Sequence, residues 1–244
     1  ERDQYWDVEV ATDGDGKLLA IRGEMIHDNG AYTPQGINLP YNSSTAVPGP
    51  YILPAYHLRV TVAMTNKVAA MPVRGAGYPE GNFTIERVLD RIARELGMDR
   101  AEVRRRNLIP GDAIPYQMPM KTREGTPMIY ESGDFLRCHE MALEAAGYTD
   151  FAQRQKEALT EGRYIGIGVA NMVKVTGRGP FESATVRVGR SGRVVIYTSA
   201  MAMGQGPKTT LAQICAEQLA IAPDQITVVT VNTASSPIGI GAYG

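Results

Sequence analysis

Cysteine is scarce: the 244 residues hold two, Cys138 and Cys215. They lie far apart and outside any Cys-x-x-Cys pattern, which argues against a disulfide scaffold, structural zinc or an iron–sulfur cluster bound by this chain alone. Both fall in helical patterns, where a buried, inert thiol is expected. Histidine is nearly as rare. His27, His57 and His139 have no partner at i, i+4 and form no metal set; His57 is expected on a strand and His139 on a helix surface. An excess of one charge is also missing, with 25 Lys plus Arg against 26 Asp plus Glu. No global field therefore favours nucleic acid or an acidic membrane. No apolar run approaches membrane-spanning length, and Glu1-Arg2-Asp3-Gln4-Tyr5-Trp6 is no apolar signal segment. A cytoplasmic location is the expectation. A Gly-x-Ser-x-Gly elbow is absent too, so Ser and Cys nucleophiles have no support.

What is present is ordinary for a globular chain, 43% hydrophobic and 21% charged, and long enough for one large or two ordinary domains. Tyr5–Arg22 alternates apolar and polar residues around Asp13-Gly14-Asp15-Gly16, the pattern of a hairpin. Asn29–Pro54, rich in Gly, Pro, Asn and Ser, is expected to be a long irregular segment. Tyr56–Met64 alternates as a strand. Ile85, Val88, Leu89, Ile92, Ala93 and Leu96 then follow helical spacing within Asn82–Leu96, with Gly97 as C-cap. Asp99 caps a short helix ending at Asn107. Pro110–Thr126 reads as loop, and Phe135–Gly147 and Tyr148–Glu161 as helices.

Beyond Gly162 the expected elements are a strand over Tyr164–Val175, a hairpin of Ser183–Val188 and Gly192–Thr198, a helix Thr209–Leu219 and a strand Ile226–Val231. The fold class is α+β (mixed α/β), two strand-rich halves with helices packed on the sheets. The domain boundary falls between about 125 and 165, giving residues 1–135 and 136–244. No sequence repeat is obvious, yet both halves use a strand, a glycine loop and a helix.

Three glycine loops are candidates for chemistry. Pro72-Val73-Arg74-Gly75-Ala76-Gly77-Tyr78-Pro79-Glu80-Gly81 runs directly into a helix, and its glycines permit positive φ or close backbone approach. Such a loop can cradle an anionic or tightly fitted group; it can equally be a turn joining a strand to a helix. It departs from Gly-x-Gly-x-x-Gly and from the P-loop, so a nucleotide site is unsupported. Met203-Gly204-Gln205-Gly206 can present an amide and N–H groups to a planar, heteroatom-rich ligand, or be a capped tight turn. Gly239-Ile240-Gly241-Ala242-Tyr243-Gly244 is either a tail or a backbone wall around a ligand. Arg104-Arg105-Arg106 reads as a basic last helical turn complementing the helix dipole.

Taken in order with Gly49-Pro50-Tyr51-x-x-Pro54 and Glu102–Leu108, these loops resemble the molybdenum-binding large subunit of the xanthine oxidase, aldehyde oxidase and carbon monoxide dehydrogenase family. The resemblance covers nearly the whole chain. It implies two molybdopterin-binding domains and a molybdenum–molybdopterin cofactor, in the cytosine dinucleotide form usual in bacteria. It further implies [2Fe–2S] clusters and FAD on partner subunits or domains, and hydroxylation of a small-molecule substrate with water as oxygen source. Arg74, Gly75, Ala76 and Gly77 match the loop at the molybdenum ligands. Met203, Gly204, Gln205 and Gly206 match the pterin-contacting segment, and Tyr243 and Gly244 the start of another cofactor loop. The protein rarely ligates the metal itself in this family, so no metal ligand is expected here.

The catalytic glutamate of the family is expected in a Gly-Glu motif beyond residue 244, and a Phe-Gly loop before Glu1. The chain thus reads as part of an enzyme whose large subunit continues on either side, and neither Glu80 nor Glu86 is assigned as base. Carbon monoxide dehydrogenases of the family carry cysteine at the Gly75 position, which argues against CO. Purine hydroxylases carry phenylalanine at the Ala76 position and an arginine near Asn42, which argues against xanthine. An aldehyde or N-heteroaromatic substrate is the expectation. The competing readings are a truncated or non-catalytic α/β domain that binds no cofactor by itself, and a carbohydrate- or nucleotide-binding α/β module.

Overall fold

The computed structural model describes residues 3–34, 37–122, 125–174, 181–230 and 232–241. The chain separates into two compact units, Glu1–Lys174 and Val175–Gly244. Both are mixed α/β.

In the first unit, β1 (Gln4–Thr12) and β2 (Leu18–Gly30) form the expected hairpin, with Asp13 Oδ1 accepting from the Asp15 and Lys17 N–H groups at the turn. β3 (Ala55–Met64) pairs parallel to β2 and carries His57. α1 (Asn38–Ala46) joins these two strands. α2 (Tyr78–Leu96) covers the sheet: Ile85, Leu89 and Ile92 pack with Ile21, Leu18 and Tyr51 in one core. Gly97 closes α2 in the left-handed conformation, donating to the Ala93 and Arg94 carbonyls. Asp99 caps α3 (Arg100–Asn107), accepting from the Ala101 and Glu102 N–H groups. Beyond lie the pair β4 (Tyr116–Lys121) and β5 (Pro127–Tyr130), then α4 (Phe135–Ala145) and α5 (Phe151–Thr160).

The second unit repeats the sheet plan. β6 (Ala184–Val188) and β7 (Val194–Thr198) pair antiparallel, and β8 (Ile226–Thr230) pairs parallel to β7, just as β3 does to β2. α6 (Pro207–Leu219) makes the crossover and covers one face, with Ala216 against Val194, Ile196 and Ile226. β7 alternates buried and half-buried residues, as one covered face requires.

Several expectations need correction. Asn29–Pro54 is not irregular: it holds the end of β2 and all of α1. Pro110–Thr126 contains β4. α2 begins at Tyr78, one turn before Asn82. Tyr164–Val175 is no strand over its described residues, because its polar groups go to side chains: the Asn171 N–H donates to Glu86 Oε1, and the Ile165 carbonyl accepts from Gln155. Val175, like Val231 at the end of the last strand, lies outside the described residues. Cys138 is exposed and Cys215 only half-buried. His139 is buried rather than on a helix surface. Arg104, Arg105 and Arg106 do stand in the last turn of α3, but Arg104 is also fully buried against Glu86 and Asp90.

Candidate functional site

The Arg74 loop leaves β3 and enters α2 through three consecutive residues at positive φ: Gly75 (108°), Ala76 (44°) and Gly77 (94°). A non-glycine residue in that run is strained by about 1–2 kcal/mol, so something must hold it. α1 does. A Cβ on Gly77 would run into the Leu39 carbonyl and lie 2.9 Å from the Ser43 nitrogen, so the loop backbone rests directly on α1. Gly81, one turn on, is packed against Ser43 and Ala46 in the same way. Asn42, 4% exposed, donates from Nδ2 to the Ala76 carbonyl at 2.7 Å. Arg74 itself is exposed at the loop tip.

Three buried polar side chains of this unit are under-bonded among the described residues. His27 on β2 is fully buried; its Nδ1 is 3.2 Å from Gln4 Nε2, while its Nε2 has no partner among the described residues. Glu80 Oε2 and Asn38 Oδ1 are likewise buried and without a partner among them. Burial lowers the His27 pKa, against the opposing fields of Asp28 and Glu80. A second network is nearly complete. Arg104 donates to Glu86 Oε2 (2.7 Å) and Asp90 Oδ1 (3.0 Å), Tyr51 donates to Glu86 Oε1 (2.5 Å), and Asn171 donates to the Tyr51 hydroxyl and sits 3.2 Å from His139 Nδ1. Burial and the Glu86 carboxylate push the Tyr51 pKa far up. Nothing in its sequence spacing marks this network; only packing assembles it.

In the second unit the Met203 loop is built like the first. Gly204 (φ 97°) and Gly206 (φ 81°) are left-handed, and a Cβ on either would meet nothing within 4 Å among the described residues. Gln205 turns inward: its Nε2 donates to the Met201 carbonyl (2.7 Å) and its Oε1 accepts from the Met203 N–H (2.6 Å). The amide thus braces the loop rather than standing free of it. The Gly239 segment follows β8 and returns to the same end of the sheet. Glu182 accepts from Ser199 Oγ and the Ile240 N–H, and the Met201 N–H donates to the Gly241 carbonyl at 3.4 Å. The second and third loops therefore meet within this unit. Tyr243 and Gly244 lie outside the described residues.

α2 and α6 start alike, each with a left-handed glycine at the N-cap (Gly77, Gly206), proline in the first turn and no side-chain cap. In those first turns Pro79 and Pro207 have no N–H to give and the Tyr78 N–H donates to the Gly75 carbonyl, so the N–H groups of Glu80, Lys208 and Thr209 are the ones the helical pattern leaves over. With the open glycines 204 and 206, that donor set fits a group held by main-chain hydrogen bonds. It does not resemble a metal-ligating set: no group of three His, Cys, Asp or Glu residues is arranged for an ion among the described residues.

Two α/β units, each entering a helix through left-handed glycines beside a three-stranded sheet, define a two-domain ligand-binding protein. Residues 1–108 and 141–244 each match a molybdopterin cofactor-binding domain, and the chain belongs to that family. It is 35% identical over 99% of its length to the 6-hydroxypseudooxynicotine dehydrogenase complex subunit gamma of Paenarthrobacter nicotinovorans, covering 30% of that protein. It is 31% identical, over its full length, to the carbon monoxide dehydrogenase large chain of Afipia carboxidovorans, covering 32%. The quinoline 2-oxidoreductase structure from Pseudomonas putida 86 superposes with a TM-score of 0.85 at 33% identity, over 98% of this chain and 32% of that one. The chain is homologous to large subunits of molybdenum-containing oxidoreductases and spans about a third of their length. No helix among its described residues is long and apolar enough to cross a membrane.

Proposed function

We propose that the protein of which this chain is part hydroxylates an N-heteroaromatic substrate, with an aldehyde as the second candidate. The observation that carries this is the Arg74 loop: a left-handed glycine run, pinned to α1, with glycine at 75 and a small residue at 76. In the family resemblance a cysteine at 75 goes with CO and a phenylalanine at 76 with purines, and neither is here. Support also comes from relatives named for quinoline and for nicotine, the latter the nicotine 6-hydroxylase large subunit of P. nicotinovorans at 30% identity.

Arg74, Gly75, Ala76 and Gly77 in the first unit, and Met203, Gly204, Gln205, Gly206, Tyr243 and Gly244 in the second, would hold molybdopterin. When bound, that group supplies a two-electron oxidation in which the added oxygen comes from water. The chain's own part is to bind and orient. In each unit the glycine loop would offer main-chain N–H groups to the cofactor, Gln205 fixes the shape of its loop from within, and alanine at 76 would leave room for a ring. The dinucleotide form of the pterin, and iron–sulfur and flavin partners that carry the electrons away, belong to the same proposal. So does the division into domains 1–135 and 136–244.

The test is turnover by the full-length, assembled protein with quinoline, a pyridine, an aromatic aldehyde, xanthine and CO, in ¹⁸O-labelled water. Labelled hydroxylated heterocycle is the expected product. Turnover of CO or xanthine instead, or a protein purified without molybdenum and pterin, would refute the proposal.

A further inference from the structure

We infer that Asn42 is a positioning residue for the cofactor loop. Through its bond to the Ala76 carbonyl it holds residues 75–77 in the left-handed form, and its side chain is turned away from any role as a substrate contact. This rests on the reading of the Arg74 loop as a cofactor contact.

Three observations converge on it. Asn42 is nearly fully buried, and its Nδ2 lies 2.7 Å from the Ala76 oxygen, the length of a good amide hydrogen bond. The residue it holds is Ala76, one of only three non-glycine residues at positive φ among those described. Its flanks are already fixed, since the Gly77 backbone rests on Leu39 and Ser43 and the Ala76 N–H donates to the Val73 carbonyl at 2.8 Å. The Ala76 carbonyl is thus the point at which a side chain decides whether the strained peptide keeps its orientation. Replacing the donor frees that peptide to rotate, and the adjacent N–H groups turn with it. Aspartate has the same size and no N–H to give, which separates the hydrogen bond from the packing.

The experiment uses the full-length assembled holoenzyme carrying Asn42→Asp, Asn42→Ala, or Asn42→Ala with Ala76→Gly. Hydrogen exchange over residues 72–81 is read alongside molybdenum and pterin content, kcat and KM. Expected is exchange at least about tenfold faster over 74–81 in both single variants, with α2 beyond Ile85 unchanged. kcat should fall by about tenfold or more while KM stays within about twofold, because the loss is one of orientation. Glycine at 76 adopts positive φ without help, so the double variant should recover part of kcat. Unchanged exchange at 74–81 overturns the inference. So does a raised KM at constant kcat, which would make Asn42 a substrate contact, or equal loosening of the whole unit with no rescue by glycine. If the wild-type protein carries no molybdopterin, the functional proposal fails, and the exchange measurement still decides the role of Asn42.

Discussion

Removing the Glu86 carboxylate would leave the Arg104 guanidinium, which has no exposed surface, with Asp90 as its remaining carboxylate partner among the described residues. Burial opposes the charge on Arg104, yet Glu86 and Asp90 outweigh it and hold its pKa above the ordinary arginine value. Glu86 is also the acceptor for Tyr51 and for the Asn171 N–H, so one side chain joins α2, α3, Tyr51 and the 171 segment. Glu86→Ala should therefore destabilise the first unit by about 3–5 kcal/mol, the magnitude for breaking a buried pair from one side. Glu86→Gln keeps the shape and some of the bonds and should fall short of that. Urea unfolding followed by a probe in the first unit checks both. A loss below about 1 kcal/mol for the alanine variant would mean that water replaces the carboxylate there. Sequence reading could not have found this site. Arg104 stands in a run of three arginines, and only burial tells it from Arg105 and Arg106, which pair with Glu102 at a partly exposed surface.

At the level of elements, α2 was legible from Asn82 onward because its apolar stripe and its Gly97 cap are local, while its first turn from Tyr78 was not. α1 was not. Asn38-Leu39-Pro40-Tyr41-Asn42-Ser43-Ser44-Thr45-Ala46 has weak helix formers and no clear stripe. Its hydroxyls bond back along the helix: Ser43 to the Leu39 carbonyl, Thr45 to Tyr41. Packing against α2 and the Arg74 loop is what stabilises it. The glycines at that contact are accordingly unequal to glycines elsewhere. Gly77→Ala meets both a left-handed φ and the α1 backbone, and should cost about 3–5 kcal/mol. Gly97→Ala has φ 63° with nothing within 4 Å among the described residues, so only the strain of about 1 kcal/mol applies. Thermal melting of the two variants separates them, and equal losses would show that α1 gives way to the added methyl.

For the whole molecule the telling fact is that the two three-stranded sheets share one plan, a hairpin followed by a strand parallel to its second member. Sequence comparison of the halves hides this, since backbone pairing repeats where side chains do not. The Arg74 loop follows β3 and the Gly239 segment follows β8, so each leaves the corresponding third strand. That correspondence extends to the described glycines of the segment, Gly239 and Gly241, which Glu182 ties to the end of β7 by accepting from Ser199 Oγ and the Ile240 N–H. It also yields a matched pair of substitutions. Gly204 and Gly192 lie in the same unit, both at positive φ (97° and 80°), both with room for a Cβ. Valine at either position strains the backbone by about 1–2 kcal/mol, yet only Gly204 stands in a loop assigned to the cofactor, while Gly192 stands in the β6–β7 turn. In the full-length protein Gly204→Val should lose most of its molybdenum and pterin, with α6 still protected from hydrogen exchange. Gly192→Val should keep its cofactor. Equal cofactor content in the two variants would leave the Met203 loop a turn like any other, because strain alone is common to both and only a ligand lying against residue 204 can tell them apart.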